Sequence, residues 1–236
     1  MKNGIVIYQP TIGQIIDYGE EDFWQMLNPF VTNPTTHRVF LWENGIDWNK
    51  ISEYTLFRTL LGLSGFTPDK TALLFGDLNL SEFVPFGVYD NDGNITDEIT
   101  LYNKEKDIEL SEDDFNEMVF YIRTMFNMFP KVEKAKNKAT KESIIFEEKM
   151  NMKNKEESND SSILFSLISA CVNHPGFKYK TTELEDVGIF EFMDSTKRLQ
   201  IYEQTTALLS GMYSGMIDTK GIDDKEFNFM RNMYST

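Results

Sequence analysis

Apolar residues along this chain recur mostly at three- and four-residue steps, the spacing of a helix with one buried face. The clearest run is Phe115, Met118, Val119, Ile122, Met125, Phe126 and Phe129. Ser111-Glu-Asp-Asp114 precedes it, a hydroxyl N-cap followed by acids that favour the positive end of the helix dipole, and Pro130 is the expected stop. Upstream, shorter helical faces follow one another between close turns. Ile12, Ile15 and Ile16 form one after Thr11, and Gly19 breaks it. Glu20, Glu21 and Asp22 then open a helix carrying Phe23, Trp24, Met26, Leu27 and Phe30, which Pro29 is expected to end or kink. Val39, Phe40 and Leu41 lie in a helix or strand after a Thr-Asn-Pro-Thr-Thr turn. Ser52 starts a helix with Leu56, Phe57, Leu60 and Leu61. Thr67-Pro68 opens one with Ala72, Leu73, Leu74 and Phe75, proline being suited to the first helical position.

The period changes once. Phe83-Val-Pro-Phe-Gly-Val-Tyr and Ile95-Thr-Asp-Glu-Ile-Thr-Leu-Tyr flank Asp90-Asn-Asp-Gly-Asn, which predicts a β-hairpin over 83–102, with Pro85 marking an edge strand or bulge.

Residues 131–160 lose the pattern. Eight lysines and seven acids crowd these thirty positions, and Ile144, Ile145 and Phe146 are the apolar cluster. Without Gly or Pro, this segment reads as a charged, solvated helix or tether. Helical periodicity returns from Ser161. Ile163, Leu164, Leu167, Ile168 and Cys171 form a face that Asn173-His-Pro-Gly ends, because the residue before proline avoids the α region. Ile189, Phe192, Met193, Thr196 and Leu199 begin a further stripe, and Leu208, Leu209, Met212, Tyr213 and Met216 continue it after Thr205-Thr206. A last short helix is expected over Asp223–Met230.

The fold class is therefore mainly α. Residues 1–130 form a helical domain with one small β-hairpin, 131–160 a charged helical linker, and 161–236 a C-terminal helical module. At 236 residues the chain can bury a sizeable core.

Charge and composition narrow the function classes. A formal charge of −15 argues against nucleic acid and against an anionic membrane surface, since both are bound through clustered Lys and Arg. The local stripe Lys131, Lys134, Lys136, Lys138 and Lys141 is interrupted by Glu133 and Glu142 and has no interleaved aromatics. No stretch is long and apolar enough for a membrane span, and the apolar run near the N-terminus is too short for a signal peptide, so the protein is expected to stay where it is made. The lone Cys171 has no disulfide partner and reads as a buried thiol.

Candidate chemistry is thin. Aligning Gly93 with the glycine of a calcium-binding EF-hand puts Val88 and Ile99 at ligand positions that require oxygen donors, so no metal is expected there. His37 and His174 are far apart and belong to no metal-binding helix motif. His174, beside Pro175-Gly176, is expected to cap or pack. No nucleophile triad or phosphate-cradling loop is recognisable, and the chain is read as having no catalytic residues and no cofactor. Gly211 and Gly215 lie in the apolar stripe, where small residues let a second helix approach. Most such pairs serve an intramolecular crossing, and an oligomer contact is the alternative. Leu208, Leu209, Gly211, Met212, Tyr213, Gly215 and Met216 are the candidate protein-binding residues.

Three segments carry a family resemblance. They are Asn173-His-Pro-Gly-Phe-Lys-Tyr-Lys, Phe190-Glu-Phe-Met-Asp-Ser-Thr-Lys-Arg-Leu-Gln and Leu208-Leu-Ser-Gly-Met-Tyr-Ser-Gly-Met-Ile-Asp, with Pro10-Thr-Ile-Gly-Gln-Ile-Ile-Asp-Tyr-Gly-Glu-Glu-Asp-Phe-Trp at the N-terminus. Together they resemble the tail assembly chaperones of phages and prophages of Gram-positive bacteria. The resemblance implies a non-enzymatic protein in the cytoplasm of the infected host. Such a protein binds the tape-measure protein or other tail proteins while the tail is built, with a possible homo-oligomer. The chain is longer than the short chaperones. A structural virion protein, such as a connector or baseplate subunit, is the alternative, and a carboxylate-based hydrolase is a third reading from another class.

Overall fold

The structure is a computed structural model that describes residues 3–64, 66–89, 95–156 and 162–234. It is mainly helical with one small antiparallel sheet, as the periodicities predict. Five helices come first: α1 (Ile12–Tyr18), α2 (Glu20–Val31), α3 (Arg38–Glu43), α4 (Glu53–Ser64) and α5 (Pro68–Phe75). Thr11 caps α1, and its side chain and that of Gln14 each accept from the other's backbone N–H. Gly19, at φ +99°, turns the chain from α1 straight into α2, a conformation that costs glycine little. Pro29 does not stop α2, which runs on to Val31. At the end of a helix a proline removes only one bond, and the flanking Met26, Leu27 and Phe30 are buried in the core.

The hairpin is present as β1 (Phe83–Tyr89) and β2 (Ile95–Asn103), with β1 on the edge where Pro85 is tolerated. Its turn, and with it the position tested for calcium, lies outside the described residues. A third strand, β3 (Ile108–Leu110), pairs with β2 through Leu101↔Leu110 and Asn103↔Ile108. Its three residues are too few to display an alternation. Helix α6 (Glu112–Phe126) starts on the expected Ser111 cap, which Asp114 completes as a capping box. It ends before Pro130, where Asn127 turns left-handed at φ +51° and Met128 N–H bonds back to Arg123 O.

The charged segment is held to the protein by specific contacts. Asn49 exchanges hydrogen bonds with the backbone of Ala135, and Thr35 does so with the backbone of Glu133. Helix α7 (Lys138–Glu156) follows and buries Ile145 with Val39, Leu41, Trp48, Leu56 and Ala135 in a small second core. Arg38 pairs with Glu133 and Glu148, and Lys141 with Asp47, across the same contact.

The main core is built by both ends of the chain. Phe23, Phe30, Phe57, Phe115 and Phe126 from α2, α4 and α6 share one apolar cluster with Leu164, Ile168, Cys171, Ile189 and Phe192 from the last part. A backbone stitch joins them: Ile12 N–H donates to Val187 O (3.0 Å) and Ile189 N–H to Pro10 O (2.9 Å). Gly13 is needed at this seam, because a Cβ there would stand 2.9 Å from Glu185 O.

Candidate interaction site

Helix α9 (Ile189–Tyr213) and the turn that follows helix α8 (Ile163–Val172) line a groove on the surface. The N-terminus of α8 is fixed from a distance. Glu20, at the start of α2, accepts from Leu164 N–H at 2.8 Å and from the Ser162 hydroxyl, which itself accepts from Phe165 N–H. Further along, Cys171 Sγ lies 3.3 Å from Thr196 Oγ1, both buried, so α8 and α9 meet closely there. Cys171 is the packed thiol expected of it.

Past Val172 the chain reverses through His174-Pro175-Gly176. His174 Nδ1 accepts from Gly176 N–H at 3.0 Å, so in the neutral ring Nε2 carries the proton and faces Glu203 Oε1 at 3.3 Å. His174 therefore caps a turn. Between this turn and α9 runs a groove of about 800 Å³, walled by Pro175, Phe177, Leu199, Tyr202 and Phe229. A smaller hollow of about 310 Å³, beside Leu167 and Ala170, shares His174, Leu199 and Glu203 with it.

The rim is polar and already paired. Lys178 pairs with Glu191 at 2.9 Å. Hydrogen bonds from the Tyr179 hydroxyl, and then from Lys178, hold the Glu191 carboxyl below its ordinary range. Tyr234 donates to Asp194 at 2.7 Å. Burial, and then that carboxylate, push its phenol well above the ordinary tyrosine value. With these groups engaged, the groove presents shape and apolar surface.

The far wall comes from the C-terminal segment, which folds back along α9. Arg198 donates to the carbonyls of Phe229 and Arg231, Thr205 to the carbonyl of Glu226 (3.1 Å), and the Tyr202 and Phe229 rings meet edge to face at 5.8 Å. Where a short helix was expected over 223–230, a single 3-10 turn covers Asp224–Phe227. It buries no residue, so no packing rewards a longer helix.

The predicted contact residues sit beyond the groove, at the end of α9. Leu208, Leu209, Gly211 and Met212 are half-buried, and Tyr213, Gly215 and Met216 are exposed. Helix α9 is continuous through Thr205-Thr206 and stops at Tyr213. Gly215, at φ +68°, lies outside it. Met216 N–H bonds to Gly211 O and Gly215 N–H to Met212 O, the paired bonds of a glycine-terminated helix end. Gly211 is approached by Ile217 of the reversing chain, whose side-chain carbons would lie 3.1 Å from a Cβ. The two glycines thus make a helix stop, a role legible in the sequence from a glycine just past the last periodic residue. The groove residues were not singled out, because Pro175, Tyr202 and Phe229 are far apart in sequence and share no period.

Residues 153–234 match the family model of the YomV second domain, a family associated with phages and prophages. The matched segment takes in α8, α9, the groove and the returning C-terminal segment, about a third of the chain. No curated protein and no solved structure matches the chain. Among the described residues no helix is long and apolar enough to cross a membrane.

Proposed function

We propose that this chain is a phage tail assembly chaperone, a non-enzymatic protein that holds the tape-measure protein in the host cytoplasm while the tail is assembled. The observation that carries this reading is that the segment matching a phage-associated family also holds the apolar groove along α9. A tape-measure protein is a long helix-rich chain with apolar stripes, and an amphipathic helix laid in an apolar groove is a common mode of recognition. Leu199, Tyr202 and Phe229 supply its walls. The net charge of −15 favours solubility of the complex.

Co-expression with the tape-measure protein tests this. The wild-type chain should keep that protein soluble and co-purify with it, whereas a Leu199→Glu, Tyr202→Ala double variant should do neither while retaining its helical circular dichroism. Mass spectrometry of purified virions should find the chain absent. Abundant copies in mature particles would instead make it a structural connector or baseplate subunit.

A further inference from the structure

The C-terminal segment is attached to its own helix in an unusual way. None of the described residues from Thr206 to Tyr234 is buried, so this strap adds nothing to either apolar core. It is held by a defined latch. Arg198 grips the carbonyls of Phe229 and Arg231, Thr205 that of Glu226, and Asp194 the Tyr234 hydroxyl. Phe229 lies against Tyr202, and Tyr234 stacks on Phe190. Every seat of the latch lies on α9, and every key lies on residues 226–234.

The connection between seat and key is a reversal, not a packed element. It runs from Ser214 to Gly221 and contains two glycines at positive φ, Gly215 (+68°) and Gly221 (+89°). Around it lie Tyr213 and Met216, exposed at 81% and 85%, the highest values among the large apolar side chains of the described residues. These eight residues, if extended, would span up to about 26 Å.

We propose that this strap is exchanged between two copies of the chain, each copy seating its residues 226–234 on the α9 of the other. Each copy carries both seat and key, so exchange keeps every latch contact, a low-cost route to a symmetric dimer. What the dimer gains is cover for the tip. Straightening the reversal brings Tyr213, Met216 and Ile217 of the two copies together at the crossover, where the single chain leaves Tyr213 and Met216 in water. The partner is therefore a second copy of this chain. The proposal goes beyond the chaperone reading and does not depend on what the groove binds.

Two glycines set the balance. Gly215 stops α9 in a conformation an L-residue resists, so Gly215→Ala removes the stop and favours a straightened connection. Gly211→Ala crowds Ile217 and acts in the same direction.

Light scattering coupled to size-exclusion chromatography over a range of concentrations reads the outcome. The wild-type chain should show a dimer whose fraction grows with concentration, and Gly215→Ala should raise that fraction with unchanged helical circular dichroism. A chain that stays monomeric even as Gly215→Ala overturns the proposal. A second measurement is independent of that variant. In a Cys171→Ser background carrying Tyr202→Cys and Phe229→Cys, a short bis-maleimide should join two chains under dimer conditions and close within one chain on dilution. Closure within one chain under both conditions also overturns it.

Discussion

Glu20 and Leu164 are 144 positions apart, yet the Glu20 carboxylate accepts the Leu164 backbone N–H at 2.8 Å. One side chain thus opens α2 as a first-turn acid and caps the first turn of α8. Trp24 Nε1 also donates to it, at 3.0 Å. The pair is a direct polar link between the N-terminal helices and the segment that carries the groove.

Removing this cap should loosen α8 first. Glu20→Ala leaves the Leu164 N–H without its acceptor and is expected to cost about 1–2 kcal/mol, the range for a lost helix cap. Urea denaturation measures the loss, and amide exchange should place the faster-exchanging protons at the start of α8. An unchanged exchange pattern there would contradict the assignment.

The same carboxylate predicts an acid-sensitive contribution. Burial alone would raise its pKa, but the hydrogen bonds from Leu164 N–H, Ser162 and Trp24 outweigh it and leave the folded value below the ordinary 4.5. The unfolded chain therefore takes up this proton first as pH falls. The contribution is fully present above about pH 4.5 and is lost below it, as pH passes through the folded value. Urea midpoints between about pH 6 and pH 3 should fall less steeply for Glu20→Gln than for the wild type.

Arg123 is a buried cation at the carboxyl end of α2. It donates to Phe30 O at 3.0 Å and Thr32 O at 2.7 Å and pairs with Glu53 at 2.7 Å. Arg123→Met keeps most of the volume but leaves two carbonyls and a partly buried carboxylate unanswered. It should destabilise by about 2–4 kcal/mol, because breaking a buried pair leaves its partner uncompensated. Replacing Glu53 with Gln in the same chain should recover part of the loss in thermal unfolding.

Neighbouring residues of α7 should behave oppositely. Ile145 is 4% exposed in the second core and Phe146 is 67% exposed. Ile145→Ala should cost about 2–4 kcal/mol through lost burial and the cavity left behind. Phe146→Ser should stay within about 0.5 kcal/mol, as surface changes usually do. Equal effects in chemical denaturation would mean that α7 does not pack on α3 through Ile145.

Periodicity located the amphipathic helices, since each such run, as from Phe115 to Phe126, repeats the geometry of one buried stripe, but it left α3 open between helix and strand and gave no stripe for α7. Local chemistry located the starts equally well. The caps at Thr11 and Ser111 act on N–H groups three residues away, a distance that a sequence window covers. It also held the end of α9 in the step from Tyr213 to Gly215, although the spacing of Gly211 and Gly215 invited a reading as a helix-crossing face. What stayed out of reach depends on residues remote in sequence. The low hydrophobicity of residues 131–160 suggested a solvated helix or tether, and only the fold shows two of their side chains, Ala135 and Ile145, entering a core with Val39, Leu41 and Trp48. Similarly, the groove takes its turn from Pro175, its floor from Leu199 and its wall from Phe229. Their meeting follows from the packing of α8 on α9 and from the Arg198 latch, contacts that no local pattern encodes. The sequence by itself determined most of the amphipathic helices and several of their starts. The tertiary structure decided which faces are left open, because burial is a property of the neighbours a residue acquires.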